Sequence, residues 1–71
     1  MKGDIKVAKR VNYIVKAPLG RLNVREKPSL KAKILSTLET GAKVRVNPTA
    51  DVPEGWKALE DGGFVMFDFL D

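Results

Sequence analysis

The chain has 71 residues, of which 44% are hydrophobic and 31% are charged, and it contains no cysteine and no histidine. This length holds one domain, and the missing residue types exclude disulfides, the usual zinc sites and the common nucleophile–base pairs. The net charge is +4, with 12 of the 13 basic residues in residues 1–46 and six of the nine acidic residues in residues 47–71. We expect folding to mix these charges on a solvated surface.

The first predicted strand lies in the N-terminal part of the chain. Val11, Tyr13 and Val15 alternate with Asn12, Ile14 and Lys16, and this period of two, with β-branched and aromatic residues, predicts a strand. We expect Tyr13 to be partly buried, with its hydroxyl group at the surface. The stretch Ala17-Pro18-Leu19-Gly20 ends this strand. Next, Leu22 and Val24 point to one face of a second strand, and the residues between and after them point to the other.

Further strands are predicted downstream: Ile34–Leu38, Lys43–Val46, Trp56–Leu59 and Phe64–Met66. The turn at Gly41 predicts a hairpin between the first two of these strands, and Asp61-Gly62-Gly63 predicts one between the last two. The apolar residues up to Leu70 continue the last strand, and the three phenylalanines are expected in the core. With no helix of useful length, we predict an all-β fold of about five or six short antiparallel strands, closed into a small barrel because closure removes free edges.

Residues 21–71 also contain several short phrases in a fixed order. They are Leu22-Asn23-Val24-Arg25, Pro28-Ser29, Ile34 to Leu38, Gly41 with Val44 and Val46, Gly55-Trp56, Gly63-Phe64-Val65 and Phe69-Leu70. Together they resemble the bacterial Src-homology 3 (SH3) domain. The resemblance implies an SH3-like barrel over residues 21–71, preceded by an N-terminal extension, residues 1–20, that contributes the first strand. Members of this family often attach cell-wall hydrolases to peptidoglycan.

The candidate ligand-binding residues are Trp56, Tyr13, Arg25, Glu26, Lys27 and Asn23. The single tryptophan either caps one end of the barrel or lines a groove, as aromatic anchors do at interfaces. Asn23 is expected to lock local backbone at the mouth of a loop. Arg25, Glu26 and Lys27 begin the loop that recognises peptides in eukaryotic relatives of this barrel. Arg25 either holds a peptide carboxylate or joins a loose surface ion pair.

Catalysis is not expected, because neither serine has an evident general base and the adjacent acids Glu60 and Asp61 are typical of a solvated turn. No cofactor or metal is expected either. A set of basic residues suggests an anionic partner: Lys9, Arg10, Lys16, Arg21, Arg25, Lys31, Lys33, Lys43 and Arg45. Since only Tyr13 could stack on bases in that half of the chain, the sequence does not favour nucleic acid.

The sequence therefore predicts a non-catalytic binding module for a peptide-like ligand, with peptidoglycan and the cell wall as the first candidate target. The alternative is an intracellular protein–protein interaction or assembly module of a phage or mobile-element type, in which residues 5–15 pair with a partner's sheet edge. Phenylalanine at positions where the family often has tyrosine or tryptophan, Phe64 and Phe69, favours this alternative. So does Met1–Lys6, which lacks the apolar block of a signal peptide and predicts a cytoplasmic location unless the chain is part of a larger secreted protein. No membrane span is expected.

Overall fold

In the computed structural model, which describes residues 10–71, the chain forms six short strands and one 3₁₀ turn. The strands are β1 (Asn12–Ile14), β2 (Arg21–Arg25), β3 (Ile34–Glu39), β4 (Lys43–Arg45), β5 (Trp56–Ala58) and β6 (Phe64–Met66), and the 3₁₀ turn is Phe67–Phe69. Every strand pair is antiparallel. The prediction of an all-β fold with short antiparallel strands is confirmed, and residues 10–71 contain no α-helix.

The strands form two sheets. One contains β1 and β4, and the other has the order β3-β2-β6-β5. Single bridges join the two sheets. Val46, which follows β4, pairs with Leu59, and Val15, which follows β1, pairs with Leu70. The C-terminus thus returns to lie beside β1.

The core contains the inward-facing residues of the alternating patterns at β1, β2 and β4, together with residues of β5 and β6 and Ala17, whereas no residue of β3 is buried. The following residues form the core, and each is less than a tenth exposed: Tyr13, Val15, Ala17, Leu22, Val24, Val44, Val46, Ala58 and Val65. Tyr13 is only 7% exposed, so it is more buried than the sequence predicted, since its ring packs among aliphatic residues of both sheets. Because the core lies on the inner faces, the outer face of β2 is left to form a surface site.

The predicted hairpin between β3 and β4 is wrong. β3 pairs with β2, and β4 pairs with β1, so the chain changes sheets at Gly41. There the Gly41 N–H donates to the Val15 carbonyl (2.8 Å) and the Val15 N–H donates to the Ala42 carbonyl (2.9 Å). The predicted turn over Glu39–Ala42 is confirmed, because the Ala42 N–H donates to the Glu39 carbonyl (3.0 Å) and Gly41 has a positive φ of 97°, but this turn delivers the chain to β1 instead of closing a hairpin.

The second predicted hairpin is confirmed, with β5 and β6 joined through Asp61-Gly62-Gly63. Leu59 N–H donates to the Gly63 carbonyl at 2.9 Å and closes the turn. Gly63 has a φ of 89° and lies so close to β2 that a Cβ atom on it would collide with Cγ1 of Val24. Glycine is therefore required there for two independent reasons.

The last predicted strand ends earlier than expected, because the 3₁₀ turn follows Met66 directly. The chain then pairs with β1: Ile14 and Asp71 exchange backbone hydrogen bonds of 3.1 and 2.8 Å, and the Lys16 N–H donates to the Phe69 carbonyl (2.7 Å). The turn leaves Phe67 39% exposed. The expectation that the three phenylalanines lie in the core is wrong, because Phe64 and Phe69 are only half-buried and only Phe69 packs against the core cluster.

Candidate functional site

A groove of about 210 Å³ lies on the outer face of β2, and we call it the β2 groove. Its walls come from β2, from the loop before it, from the loop after it and from the C-terminal turn. The lining residues are Ala17, Pro18, Leu19, Arg21, Leu22, Asn23, Arg25, Leu30, Met66 and Phe69. Most of these side chains are apolar, and the polar groups among them are one amide and two guanidinium groups. Such a groove is suited to binding, since apolar surface supplies affinity and a few polar groups fix orientation.

The alternation of β2 determines which side chains reach this groove. Leu22 and Val24 are 4% and 5% exposed because they anchor the strand in the core. Arg21, Asn23 and Arg25 therefore point to the opposite face, where all three line the groove. The predicted orientation of Asn23 and Arg25 is confirmed, and the structure brings these two candidate residues together.

Arg25 holds the loop that follows β2. Its Nη1 atom donates to the backbone carbonyls of Leu30 and Ala32, both at 3.0 Å. Within residues 10–71, Arg25 forms no ion pair, and its side-chain hydrogen bonds there go to these two backbone carbonyls. Because Leu30 also lines the groove, this contact fixes one groove wall. The Nε and Nη2 groups of Arg25 make no hydrogen bond to another described residue and can serve a ligand.

Asn23 is half-buried in the groove, and its side-chain amide makes no hydrogen bond with another residue of the described part of the chain. The expectation that this amide locks local backbone is therefore wrong for the described residues, and Arg25 makes the corresponding contacts instead. An amide in this position can donate to and accept from the backbone of an extended peptide at once.

Glu26 and Lys27 lie at the start of the same loop with exposed side chains. Their contribution to the loop comes from the backbone, since the Glu26 N–H donates to the Lys33 carbonyl and the Lys27 carbonyl accepts from the Ser29 N–H, both at 2.8 Å. Neither residue lines the β2 groove. Their side chains are placed beside the groove rather than in it.

Tyr13 lies in the other sheet, and it does not line the β2 groove. Its ring meets Phe67 edge to face, with 5.7 Å between ring centroids and 87° between planes. The Arg10 guanidinium lies 4.3 Å from the centre of the Tyr13 ring, and the Lys57 ammonium lies 4.8 Å from that of Phe67. The edge-to-face pair therefore joins β1 to the C-terminal turn, and the Lys57 contact joins β5 to the same turn.

Trp56 is half-buried in β5, where it pairs with Met66 of β6. It lines neither the β2 groove nor the depression between β3 and the β5–β6 turn, so the structure does not bring it together with Asn23 and Arg25. Met66 is its link to the groove, because Met66 is both the strand partner of Trp56 and part of the groove lining.

Sequence reasoning missed several lining residues. Arg21 could have been found, because it lies two residues before Asn23 on the same face of the strand. Leu30, Met66 and Phe69 carry no local signal, since only the paths of the loop and of the C-terminal turn bring them to β2.

A second depression, about 580 Å³ in volume, opens between β3 and the β5–β6 turn, and it contains an ion pair between Arg45 Nε and Glu60 Oε1 (3.1 Å). Both partners are about half exposed, so the pair contributes little to stability. Within residues 10–71 no cluster of acidic residues could hold a metal ion, and no helix is long and apolar enough to cross a membrane.

Comparison of the chain with protein-family models, curated proteins and solved structures found no match.

Proposed function

We propose that this chain is a non-catalytic binding module with an SH3-like barrel fold, and that its β2 groove binds an extended peptide-like ligand. The peptide portion of bacterial peptidoglycan is the first candidate ligand. The observation that carries the proposal is the groove itself: an apolar trough, with Asn23 in it and the Arg25-held loop as one wall. The order of the family-like phrases and the two bridges between the sheets support the barrel fold.

The two arginines that border the β2 groove favour a ligand with carboxylate groups. Arg21 is exposed and makes no hydrogen bond or ion pair with another described residue, and Arg25 keeps part of its guanidinium unused. Both guanidinium groups border the same groove. Guanidinium groups bind carboxylates through parallel hydrogen bonds, and the stem peptides of peptidoglycan combine carboxylates with small apolar side chains. The apolar floor would accept those side chains while the arginines fix the register.

A binding role also agrees with the residue types. The chain has neither cysteine nor histidine, and the polar side chains in the groove are an amide and two guanidinium groups, which cannot act as nucleophile and base at neutral pH. Nothing in the groove supplies a proton acceptor for hydrolysis.

The strand edge that the assembly alternative requires is already paired on both sides in the described residues. β1 is paired with β4 on one side, and on the other side Ile14 and Lys16 are hydrogen-bonded to Asp71 and Phe69. A partner's strand could not pair with this part of residues 5–15 without displacing the C-terminus. Residues 5–9 of that prediction lie outside the described residues.

Sedimentation with purified bacterial cell walls tests the proposal. The test variant carries Leu19→Ser and Leu30→Ser, which remove groove-lining side chains that are 94% and 63% exposed, so folding should be preserved. The matched control is Ile14→Thr, an exposed aliphatic residue outside the groove.

We expect the wild type and the control to sediment with the walls, and the double variant to remain in solution. If the double variant stays folded and sediments as well as the wild type, the groove is not the binding site. If the wild type itself stays in solution, the chain does not bind the wall.

A further inference from the structure

The face of the sheet that carries the β2 groove continues across β6 to β5. Arg25 of β2 pairs with Phe64 of β6. The same antiparallel register carries Asn23 beside Met66, and both of these residues line the groove. Met66 in turn pairs with Trp56 of β5. Because paired residues share a face of the sheet, Asn23, Met66 and Trp56 form one row across three neighbouring strands.

Trp56 lies at the end of this row, one strand beyond the edge of the groove. Neighbouring strands are about 4.8 Å apart, so the backbone of Trp56 lies about 10 Å from β2. A fully extended peptide advances about 3.4 Å per residue, so about three residues of a ligand cover this distance. A peptide that occupies the groove and runs across the strands therefore reaches the half-buried indole.

The two ends of this row differ in charge. Arg21 and Arg25 border the groove at β2. At the other end, the loop that leads into Trp56 contains Asp51 and Glu54, and both side chains are exposed. In the described part of the chain, neither of these carboxylates forms an ion pair. A ligand aligned along the row therefore meets positive groups at one end and negative groups at the other.

The basic residue next to Trp56 does not change this charge pattern. Lys57 points to the opposite face of β5, where its ammonium group lies 4.8 Å from the centre of the Phe67 ring. Met66, the strand partner of Trp56, is uncharged. The indole therefore faces no cation from its neighbour along β5 or from its partner on β6, and tryptophan has the side chain whose ring binds cations best.

We propose that the site binds a zwitterionic peptide, with carboxylates at Arg21 and Arg25 and an ammonium group on the indole of Trp56. This inference rests on the proposed function, since it places a second part of the same ligand. Stem peptides that contain a diamino acid have this chemistry as long as the side-chain amine is free. Cross-linking converts that amine to an amide and removes its charge. The module therefore prefers cell wall in which the stem peptides are not cross-linked.

Binding of two synthetic stem pentapeptides to the full chain tests this preference. One contains a lysine with a free ε-amine, and in the other this amine is acetylated, as it is acylated in a cross-link. Titration calorimetry should give a dissociation constant roughly fivefold higher for the acetylated peptide, because the cation–π contact is lost. The fluorescence of Trp56, the single tryptophan, should change on binding of the free amine and change less with the acetylated peptide.

Variants of the chain test whether the preference arises at the ring. Trp56→Leu should bind the two peptides equally, and Glu54→Gln should reduce the preference by about twofold. The matched control is Glu60→Gln, which removes a carboxylate in the depression between β3 and the β5–β6 turn and should keep the full preference. Circular dichroism establishes that the variants are folded, and the comparison of the two peptides on the wild type holds whether or not Trp56→Leu folds.

Equal affinity of the wild type for the two peptides would overturn the inference, as would a folded Trp56→Leu that keeps the preference. If both peptides nevertheless shift the amides of Asn23 and Leu30 in NMR spectra, this inference fails while the proposed function stands. If neither peptide binds, the proposed function and this inference fail together.

Discussion

The contact between Arg25 and the loop after β2 is the feature of the candidate site whose removal should have the clearest effect. Nη1 of Arg25 donates to the carbonyls of Leu30 and Ala32 at 3.0 Å, and the second of these bonds is partly buried. Hydrogen bonds from a charged donor contribute about 1.5–3 kcal/mol each when they are shielded, and the exposed bond to Leu30 contributes less. We expect Arg25→Ala to lower the free energy of unfolding by about 2 kcal/mol.

For a domain of this size, that loss corresponds to a fall in Tm of roughly 8–16 °C. Urea unfolding can be followed through the fluorescence of Trp56, which is the single tryptophan and is half-buried. Hydrogen exchange gives a local measurement, because the Glu26 N–H bonds to the Lys33 carbonyl across the base of the same loop. Its protection should fall in Arg25→Ala.

Arg21→Ala is the matched control. Arg21 lies on the same face of β2 and lines the same groove, but it makes no hydrogen bond with another residue of the range 10–71. Its removal should leave the unfolding free energy within about 0.5 kcal/mol of the wild type. The reasoning is refuted if Arg25→Ala unfolds like the wild type with unchanged exchange at Glu26, or if Arg21→Ala loses as much stability.

Two further predictions concern the backbone around the site. Thr40 Oγ1 accepts from the Ala17 N–H (3.0 Å) and donates to the Ala17 carbonyl (2.8 Å), so Thr40→Val should lower the unfolding free energy by about 2 kcal/mol in urea titrations, whereas Thr40→Ser should retain most of it. Equal stability of the two variants would contradict this role of the hydroxyl. Gly63→Ala combines a positive φ with a collision against Val24, while Gly62→Ala has the positive φ and open space. We expect calorimetry to give a loss of unfolding free energy of about 1–2 kcal/mol for Gly62→Ala and about 1–3 kcal/mol more for Gly63→Ala. Similar losses for the two variants would show that Val24 moves aside, and would contradict the expected cost of the collision.

Local patterns predicted the strands well because they report burial. The alternation of Leu22 and Val24 with Asn23 and Arg25 identified both the core face and the groove face of β2, and each residue lies where the pattern placed it. The glycines of the β5–β6 turn were informative for a different reason, because the positive φ that they adopt is a local property of the backbone.

Strand pairing was less predictable. The sequence around Gly41 is compatible with a hairpin, and the competing pairing of β3 with β2 depends on contacts between distant parts of the chain. The same limit explains the candidate site. Tyr13 and Trp56 were selected by residue type, but the groove is completed by Leu30 and Phe69, which reach it through the course of the loops.

The most direct test of the proposed function is a titration of the labelled chain with a soluble muropeptide, followed by NMR chemical shifts. We predict saturable shifts at the backbone amides of Asn23, Arg25, Leu30 and Met66, which border the β2 groove, with the amide of Lys43 on β4 unchanged. An absence of shifts throughout the titration, or shifts confined to residues away from this groove, would contradict the account.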